Sequence, residues 1–577
     1  MNKRPFIILS AFLLLFSLIE KGQATETYRP ETSVAGFIQL PGSGRQVYNF
    51  NPGWRFFRGD VRGAEAVNFD DRSWNVVSTP HTVELMPAEG SGCRNYQGPA
   101  WYRKHFVLPA ETKGQRVVLH FEAAMGKQIL YLNGKRIQEH LGGYLPFTLD
   151  LTANGVQAGD SCLLAVFTAS RSNSLPIIQS TTFKYATSED MGKLFDLEAD
   201  GYFYSRLQNP TCDMVAKKIC ELEGGTAAML TSSGQAANFF ALFNICEAGD
   251  HIVASSTIYG GTFNLISVTM AKMGITATFV DPLCTEEVLN AAFRPNTKVV
   301  FGETIANPAL TVLDIEKFAK AAHAHGVPLM VDNTFPTPVN CRPFEWGADI
   351  VTHSTTKYMD GHGAVLGGAI VDGGKFDWMA HAEKFPGLCT PDDSYHGITY
   401  AERFGKEGAF ITKATAQLMR DFGSMQSPMN AYMLNLGLES LHVRMQRHCA
   451  NGMAVAQFLE NHPKVAYVNY CGLESSPYHA LAQKYLPNGS CGVVSFGLAG
   501  GRQAASTFMK ELKLAAIETH VADARTCCLN PASSTHRQMN DEQLAAAGVP
   551  AELVRMSCGL ESAEDLIADI AQALDKV

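Results

Sequence analysis

The sequence lacks most of the patterns that mark redox, nucleotide-binding and nucleic-acid-binding proteins. Its fourteen cysteines form no CxxC pair and no dense framework, which argues against a disulfide-stapled scaffold and favours a reduced compartment. No GxxxxGK[ST] motif, low-complexity segment or repeat of fixed period is present, so neither a nucleotide P-loop nor a solenoid is expected. The net charge is only −9, from 47 Lys+Arg and 56 Asp+Glu, with no basic stripe for nucleic acid.

Long apolar runs are also missing after the first residues, so no later membrane span is expected. Residues 1–24 contain Lys3 and Arg4, an apolar run over 6–19 and small residues near 22–24. This layout predicts a secretory signal peptide and therefore export to the periplasm or beyond. A buried helix or a membrane anchor is the alternative interpretation.

The remaining chain is too long for one hydrophobic core, and its pattern changes near residue 170. Residues 45–169 contain short apolar runs at 115–122, 128–132 and 162–167, separated by turn signals such as Asn133-Gly134. An Asn-Gly pair after an apolar strand is typical of a hairpin. We therefore predict an all-β sandwich for 45–169.

From residue 175 onward, apolar strands alternate with helical patterns. Helices are predicted at 236–246 and 315–325, and buried strands at 251–256, 275–280, 298–302, 328–332, 350–354 and 365–371. Strands that are joined through helices favour a mostly parallel sheet covered on both faces. This predicts a large α/β domain over 175–430 and a smaller α+β domain over 431–577.

Three positions in the α/β domain are candidates for chemistry. Ser233 and Gly234 precede a helix, where free backbone N–H groups and the positive dipole end can seat a phosphate, although a simple N-cap is the blander interpretation. Asp332 ends a predicted strand, where open α/β sheets bind ligands, but it could equally cap the next turn. Lys357 follows the next strand and, if confined, would have a lowered pKa and a nucleophilic amine.

No metal site is predicted. His323 and His325 lie two residues apart and so do not face each other on a helix. His353 and His362 have no well-spaced carboxylate or cysteine to complete a zinc site. The Cys527-Cys528 pair is interpreted as packing.

The predicted sandwich resembles a known domain. The segments NPGWRFFRGD, FDDRSWNVVSTPHT, GPAWYRKHFVLP, LYLNGKRIQEHLGGYLPFTLDLT and LLAVF are similar to the N-terminal sugar-binding domain of family 2 glycoside hydrolases, the β-galactosidase type. The resemblance implies a galactose-binding-like, jelly-roll-like sandwich and a weak carbohydrate contact. It ends after residue 167, before the family's last strands, so an incomplete sandwich is expected. Because the catalytic barrel does not follow, no glycosidase activity is expected.

Residues 175–577 resemble the Cys/Met-metabolism family of pyridoxal 5′-phosphate (PLP) enzymes, in its O-acetylhomoserine sulfhydrylase branch. The motifs that carry this resemblance are LPIIQSTTF, YSRLQNPT, SSGQAAN, YGGTFN, ETIANPAL, VDNTF, HSTTKYMDGHG, NPASSTH and VRMSCGLE. The resemblance implies PLP-dependent fold type I, as in aspartate aminotransferase, with PLP as cofactor.

The resemblance also implies a role for each matching residue. Lys357 would form the Schiff base and then shuttle protons, and Tyr259 would stack on the ring. Arg555 would clamp the substrate carboxylate, with Thr526 nearby. The remaining implied cofactor contacts are Ser233, Gly234, Gln235, Ser354 and Thr356 for the phosphate, Asn307 and Asp332 for the ring, and Tyr204 and Arg206 from a neighbouring subunit. The site would therefore need a dimer or tetramer.

The implied reaction is γ-replacement on O-acetyl-L-homoserine by sulfide or a thiol, giving homocysteine or methionine and acetate. Cystathionine γ-synthase and methionine γ-lyase are related alternatives. The γ-lyases carry a cysteine where this chain has Gly261. An alternative of another class is an exported carbohydrate-binding module with a non-functional PLP passenger, and a third is a junction of two unrelated reading frames.

Two departures from the family complicate this interpretation. The twenty to thirty residues that precede LPIIQSTTF in the family are replaced by the sandwich, so a chemically complete site with impaired assembly is expected. The signal peptide predicts export, whereas PLP enzymes of this family are expected in the cytoplasm, and localisation stays open between the two.

Overall fold

The computed structural model divides the chain into two units, Met1–Leu175 and Pro176–Val577, called here the sandwich unit and the α/β unit. It describes residues 27–32, 46–81, 98–122, 124, 126–141, 147–170, 175, 177–183, 185, 187–198, 201–535, 537, 540–546 and 548–577. The predicted signal peptide at 1–24 lies outside the described residues. Within these residues, no helix combines the length and apolar character needed to cross a bilayer.

The sandwich unit is built from antiparallel strands. They are β1 Glu31–Thr32, β2 Tyr48–Asn49, β3 Trp54–Arg58, β4 Asn75–Val77, β5 Gly98–Val107, β6 Val118–Phe121, β7 Lys127–Leu132, β8 Lys135–Leu141, β9 Phe147–Asp150 and β10 Ser161–Ser170. Six of them form one sheet in the order β4-β3-β5-β10-β7-β8, while β6 pairs with β9 and β1 with β2. The three predicted strands thus correspond to β6, β7 and β10.

The predicted hairpin at Asn133-Gly134 joins β7 to β8. Both residues have positive φ, 49° and 83°, as a two-residue type I′ turn requires. The Asn133 side chain also accepts a hydrogen bond from the Leu163 amide at 2.8 Å, which ties the turn to β10. The hairpin prediction is confirmed.

The core of the sandwich unit lies between the six-stranded sheet and the β6–β9 pair. Its buried members come from both layers and are Trp54, Phe106, Leu108, Leu130, Leu132, Phe147, Leu149, Leu151, Val156, Cys162, Leu164 and Val166. Alternating residues of each strand point into this core, as in a two-layer sandwich. The second layer contains only two strands among the described residues.

The α/β unit is organised around a seven-stranded sheet. Its strands are β11 Ala227–Thr231, β12 His251–Ser255, β13 Thr276–Val280, β14 Thr297–Glu303, β15 Leu329–Asp332, β16 Ile350–His353 and β17 Gly368–Asp372. The spatial order is β11-β17-β16-β15-β14-β12-β13, and only β17 runs antiparallel to its neighbours. All six predicted strands are present. Strand β11 was not predicted because its sequence AAMLT is short and alanine-rich, which gives little β propensity.

Helices cover this sheet and a second, smaller one. They are α1 Ser188–Phe195, α2 Pro210–Glu223, α3 Gly234–Phe243, α4 Gly260–Asn264, α5 Glu286–Ala291, α6 Ile315–Ala324, α7 Thr337–Asn340, α8 Pro386–Cys389, α9 Tyr400–Lys413, α10 Arg420–Phe422, α11 Pro428–Glu460, α12 His479–Tyr485, α13 Gly501–Glu511, α14 Asp541–Ala546 and α15 Ala563–Leu574. The long α11 begins before residue 431, so the proposed boundary between the two domains falls inside a helix.

The second sheet of the α/β unit has five strands. They are β18 Val465–Asn469, β19 Val493–Leu498, β20 Ala516–Ile517, β21 Cys527–Leu529 and β22 Leu553–Ser557, in the order β18-β19-β22-β21-β20. The predicted α+β character of the C-terminal region is therefore present. Its central strand, β22, carries Arg555 into the site described next.

Candidate active site

The carboxyl ends of three neighbouring strands form the centre of the site. Glu303 ends β14 and lies opposite Asp332, which ends β15, and Asp332 lies opposite Thr352 on β16. The chain leaves β16 at His353 and reaches Lys357 four residues later. Because these strands are parallel, their end residues share one edge of the sheet, where open α/β folds bind ligands.

Lys357 is partly buried at this edge. Burial, and secondarily the charge of Arg555, lowers the pKa of its amine to about 8. A substantial fraction of the amine is therefore unprotonated near neutral pH, as a lysine nucleophile requires. Its Nζ lies 3.5 Å from Nδ1 of His520, a residue that the sequence did not identify.

Asp332 is held in one orientation by its neighbours. Its Oδ2 accepts from the Asn238 amide group at 3.2 Å, and its Oδ1 accepts from the backbone and hydroxyl of Thr334. The side chain is buried. A buried, oriented carboxylate at a strand end fits a protonated ring nitrogen, the role that the resemblance implies.

Glu303 is a second carboxyl beside Asp332 that sequence reasoning missed. Burial, with the negative charge of Asp332, raises the pKa of Glu303 well above its usual value. Its Oε1 accepts from the Tyr259 backbone N–H at 2.7 Å. Glu303 thus fixes the start of α4.

The predicted phosphate seat is the amino end of α3. Ser233 caps the helix by accepting from the Ala236 N–H at 3.1 Å. A Cβ at Gly234 would overlap Ser354, so only glycine lets this helix start approach the loop after β16. The Gln235 side chain donates to the Gly261 carbonyl at 3.1 Å. The N-cap and the phosphate-seat interpretations are therefore compatible at this position.

The loop after β16 brings Ser354 and Thr356 to different partners. The Ser354 N–H donates to the Thr334 hydroxyl at 2.8 Å, next to the α3 start. The Thr356 hydroxyl donates to the Gly367 carbonyl at 3.2 Å and accepts from the Gly367 N–H at 3.0 Å. Ser354 is thus placed at the predicted seat, while the Thr356 hydroxyl proton is engaged with residue 367.

Tyr259 has a half-exposed side chain, 50% accessible. Its ring lies over Gly261, where a Cβ would come within 2.5 Å of ring atom Cε1. The absence of a side chain at 261 therefore allows this ring position. The exposed ring provides a face on which a planar cofactor can stack, as predicted.

Arg555 is 7% exposed on β22. Its guanidinium donates to Oδ1 of Asn307 at 3.3 Å and to the carbonyls of Thr519 and His520 at 3.2 Å each. Its buried Nε has no hydrogen-bond partner among the described residues. Burial lowers the Arg555 pKa to about 10, so the group stays cationic at neutral pH. A buried cation with a free N–H fits an anionic ligand such as a substrate carboxylate.

Thr526 has hydrogen-bond partners inside the protein, and its implied position near the substrate stays a prediction. Its hydroxyl donates to Glu561 at 2.8 Å and accepts from the Gly559 N–H at 2.8 Å, and its own N–H donates to Glu561 at 2.7 Å. The residue is 1% exposed. These bonds engage both of its donors and tie Thr526 to the loop after β22.

Tyr204 and Arg206 lie together in the segment before α2. The Arg206 guanidinium is 5.3 Å from the Tyr204 ring centre and donates to the Arg420 carbonyl. Tyr204 is 39% exposed. Both side chains are therefore available at a surface, and their implied role toward a neighbouring subunit stays a prediction.

The site residues that the sequence analysis did not identify contact residues that it did identify. Asn238 stands four residues after Gly234, one helical turn along α3, and its presence in the motif SSGQAAN was the available signal. Glu303 likewise lies within a recognised motif, ETIANPAL. His520 offered no signal, because it is 163 residues from Lys357 in sequence.

Two of the histidines that were considered as metal ligands pair with carboxylates of the fold. His353 contacts Glu223 at 2.6 Å with both side chains buried, and His323 contacts Asp349 at 2.8 Å. In the part of the chain that the structure describes, no group of three or more His, Cys, Asp or Glu could hold a metal ion. Cys527 and Cys528 are both buried on β21.

Two family models match the chain. The Cys/Met metabolism PLP-dependent enzyme family matches residues 165–575, and the sugar-binding domain of glycosyl hydrolases family 2 matches residues 65–190. The first match covers most of the chain and contains all the site residues described above. The second covers most of the sandwich unit.

Similar proteins agree with the first match. A Schizosaccharomyces pombe protein named homocysteine synthase is 46% identical over 411 residues, covering 70% of this chain and 95% of that protein. An O-acetyl-L-homoserine sulfhydrylase from Leptospira meyeri is 42% identical, covering 70% and 93%. A crystal structure of a Campylobacter jejuni protein named as an O-acetylhomoserine (thiol)-lyase, with a pyridoxyl-lysine phosphate residue, has a TM-score of 0.67 at 36% identity and covers 70% and 96%.

Proposed function

Because this chain belongs to the Cys/Met metabolism family of PLP-dependent enzymes, we propose that it transfers a sulfur nucleophile to O-acetyl-L-homoserine. Sulfide or a thiol replaces the acetoxy group at Cγ: a Cγ–S bond forms, the Cγ–O bond breaks, and homocysteine or methionine is released with acetate. The cofactor is PLP. The relatives named as homocysteine synthase and O-acetyl-L-homoserine sulfhydrylase support this choice of reaction.

The observation that carries the proposal is the meeting of Lys357, Asp332 and Arg555 at one edge of the sheet. PLP supplies the electron sink that makes the α- and β-protons of the substrate acidic. Asp332 would keep the ring nitrogen of bound PLP protonated, and Arg555 would bind the substrate α-carboxylate through its free Nε–H. Lys357, with its amine pKa near 8, takes the α-proton and returns it.

The phosphate would be held by the start of α3. The Ser233, Gly234 and Gln235 segment presents backbone N–H groups at a helix amino end, and Ser354 faces it across a gap that only glycine at 234 permits. Tyr259 would stack on the ring, and Asn307, which accepts from Arg555, would contact it. Thr356 completes the seat through the backbone that it orders at Gly367.

The reaction products distinguish the proposed reaction from the γ-lyase and cystathionine γ-synthase alternatives. Gly261 supports the sulfhydrylase interpretation, since the resembling γ-lyases carry a cysteine at this position. We would assay the purified full-length chain with O-acetyl-L-homoserine and sulfide, with Lys357→Ala as control. Equal amounts of homocysteine and acetate are expected. Cleavage of methionine to a keto acid and a thiol, without turnover of the acetyl ester, would overturn the proposal.

A second copy of the chain is expected to complete the site. Tyr204 and Arg206 lie at a surface and would reach the phosphate of a neighbour's cofactor. Mixing inactive Lys357→Ala and Arg206→Ala chains tests this, because shared sites would regain part of the activity in hybrid assemblies. No regained activity after unfolding and joint refolding would contradict the shared site.

Light scattering tests assembly separately. The sandwich replaces the segment that precedes LPIIQSTTF in the family, so we expect assembly to be weaker than a stable tetramer. A stable tetramer at low protein concentration would contradict this expectation.

The sandwich unit carries a second candidate function. Its match to a sugar-binding domain supports a weak carbohydrate contact, and an exported binding module with an inactive PLP unit is the alternative for the whole chain. Titration of galactosides by calorimetry, alongside the turnover assay, separates the two. Galactoside binding by a chain that does not retain PLP would favour the binding module.

A further inference from the structure

We propose that His520 is a positioning residue that exchanges a proton with Lys357. The inference rests on the proposed function of the site, but the contact itself does not depend on which reaction the enzyme performs. His520 Nδ1 lies 3.5 Å from Lys357 Nζ. No other imidazole among the described residues contacts the Lys357 amine.

The backbone around His520 is fixed by the rest of the site. Its carbonyl accepts from Arg555 Nη2 at 3.2 Å and from the Cys527 thiol at 3.2 Å. Two residues later, Ala522 has φ 67°, a value that non-glycine residues rarely adopt. Its N–H donates to the Ser557 hydroxyl at 2.7 Å. The segment that carries His520 is thus held in a costly conformation, as is common at functional sites.

The chemistry of the two groups defines their proton exchange. A lysine ammonium has donors only, so a neutral His520 must accept its hydrogen bond at Nδ1 and carry its own proton at Nε2. When the Lys357 amine must act as a base or a nucleophile, one proton moves from Nζ to Nδ1. The N–H bond at Nζ breaks, a new one forms at Nδ1, and the pair becomes a neutral amine beside an imidazolium.

The second ring nitrogen of His520, Nε2, does not interfere with this proton exchange. Within the described ranges, the buried His520 Nε2 has no hydrogen-bond partner. No second acceptor or donor therefore competes for the ring or fixes its tautomer, and Lys357 is the group that determines it.

The surrounding charges decide how readily His520 takes the proton. Lys357 disfavours an imidazolium, while Asp523, Glu518 and Asp360 favour it. Burial, then the charge of Lys357, lowers the His520 pKa from its usual value. His520 is therefore neutral at neutral pH and available as an acceptor. Below the usual titration range of histidine it becomes charged and no longer accepts from Lys357.

The first test measures the coupling without turnover. The full-length chain, freed of cofactor, is treated with diethyl pyrocarbonate across a pH series, and acylation of His520 is followed by peptide mass spectrometry. His396, whose side chain is 85% exposed, is the reference histidine in the same digest. In Lys357→Met the His520 midpoint should rise by about one pH unit, because a neighbouring positive charge is lost. An unchanged midpoint would overturn the proposal.

The second test uses the loaded enzyme. His520→Asn keeps a hydrogen-bond acceptor but cannot store a proton, whereas His520→Ala has neither property. We expect kcat to fall roughly 10- to 100-fold in His520→Ala, the cost of one hydrogen bond to a charged group, with KM nearly unchanged. His520→Asn should recover part of kcat and lose the acid limb of the wild-type pH profile. A profile identical to wild type in His520→Asn would contradict the proton exchange.

The two tests separate this inference from the proposed reaction. If the acylation midpoint shifts but the acetyl ester is not turned over, the proton exchange stands and the substrate assignment fails. If turnover occurs without the shift, the reaction stands and the role of His520 fails.

Discussion

Both units of the chain bury basic side chains, and the two sets differ in how completely they are partnered. In the sandwich unit, Arg103 and Lys104 on β5 are fully buried. Arg103 donates to Asp71 at 2.7 Å and also to the carbonyls of Ala64, Ala66 and Phe69. Every nitrogen of its guanidinium is therefore engaged.

Lys104 is enclosed in a comparable way. Its Nζ donates to the Pro52 carbonyl and lies 3.7, 4.6 and 5.4 Å from the ring centres of Tyr28, Phe50 and Trp54. The aromatic faces attract the ammonium, while burial lowers its pKa to about 7. Lys104 thus contacts protein groups on several sides, and all of these groups belong to the sandwich unit.

In the α/β unit, Arg444 is also buried with every guanidinium nitrogen engaged, but two cations of the candidate site keep unused hydrogen-bonding capacity. Arg555 retains a buried Nε–H with no partner among the described residues, and Lys357 contacts only a long hydrogen-bond partner, His520. The comparison shows that burial of a cation alone does not identify a functional site. A buried cation whose N–H groups all have protein partners has a structural role. A buried cation with an unpaired N–H group near the ends of the strands indicates a ligand-binding site.

The largest effect that this comparison predicts is at Lys357. Lys357→Ala removes the proton carrier, so turnover of O-acetyl-L-homoserine should fall by at least about 10²–10⁴-fold, the range for loss of a general acid–base group. Stability should not fall, because the lysine is desolvated and has no strong partner. Steady-state assays and urea unfolding check both statements. A large loss of stability without loss of turnover would reverse the assignment of Lys357.

Arg103 should show the opposite behaviour. Arg103→Met leaves Asp71 buried without its main partner, and breaking such a pair costs about 3–5 kcal/mol, so the sandwich unit should unfold at lower temperature. Turnover per folded chain should be unchanged. Calorimetry and assays measure the two effects.

The matched control for Arg103 is Arg72→Met. Arg72 pairs with Asp70 at 2.7 Å, but both side chains are more than half exposed. Water screens such a pair, so no measurable change is expected. Equal destabilisation by both variants would show that the buried pair has no special role.

Asp332→Asn should have a smaller effect than Lys357→Ala or Arg103→Met. The amide keeps the shape of the side chain and loses its charge. Cofactor retention should weaken by roughly 10- to 100-fold, because one hydrogen bond to a charged group is worth about 1.5–3 kcal/mol. Equilibrium dialysis with absorbance detection measures it. Asn238→Ala is the companion variant, since Asn238 orients Asp332, and it should weaken retention less.

The sequence predicted the features that local patterns encode. Strands β12 to β17 appear as buried apolar runs, the Asn133-Gly134 turn requires positive φ at both residues, and Lys357 lies at a strand's carboxyl end beside Asp332. Each of these depends on a few neighbouring residues or on the rule that ligands meet parallel strands at their carboxyl ends.

The remaining features depend on contacts between distant residues. Thr526 is engaged by Glu561, 35 residues away, and the pKa of Glu303 is raised by burial and then by the cross-strand neighbour Asp332. His520, in the segment between β20 and β21, meets Lys357 across 163 residues of sequence. Such pairings leave no local signal in a single sequence.

The smallest effect in the comparison concerns two similar His–Asp pairs. His105 contacts Asp71 at 2.8 Å in the sandwich unit, and His323 contacts Asp349 at 2.8 Å in the α/β unit. Asp71 also has Arg103, which carries a fixed positive charge. Asp349 accepts otherwise from the Leu329 backbone. The α/β unit should therefore depend more strongly on the charge of its histidine.

The hydrogen bond to Asp349 raises the His323 pKa in the folded state, against the effect of burial. A raised folded pKa means that the stabilisation is fully present below about pH 6.5, the usual histidine value, and is lost as pH rises through the higher folded value. Because His323 is 43% exposed, the contribution should be only about 0.2–1 kcal/mol. Urea titrations at about pH 6 and pH 8.5 measure it, and His323→Gln should remove the pH dependence. His325→Gln is the control, since its pKa is lowered by burial. If His325→Gln removed the pH dependence instead, the pair with Asp349 would not be its source.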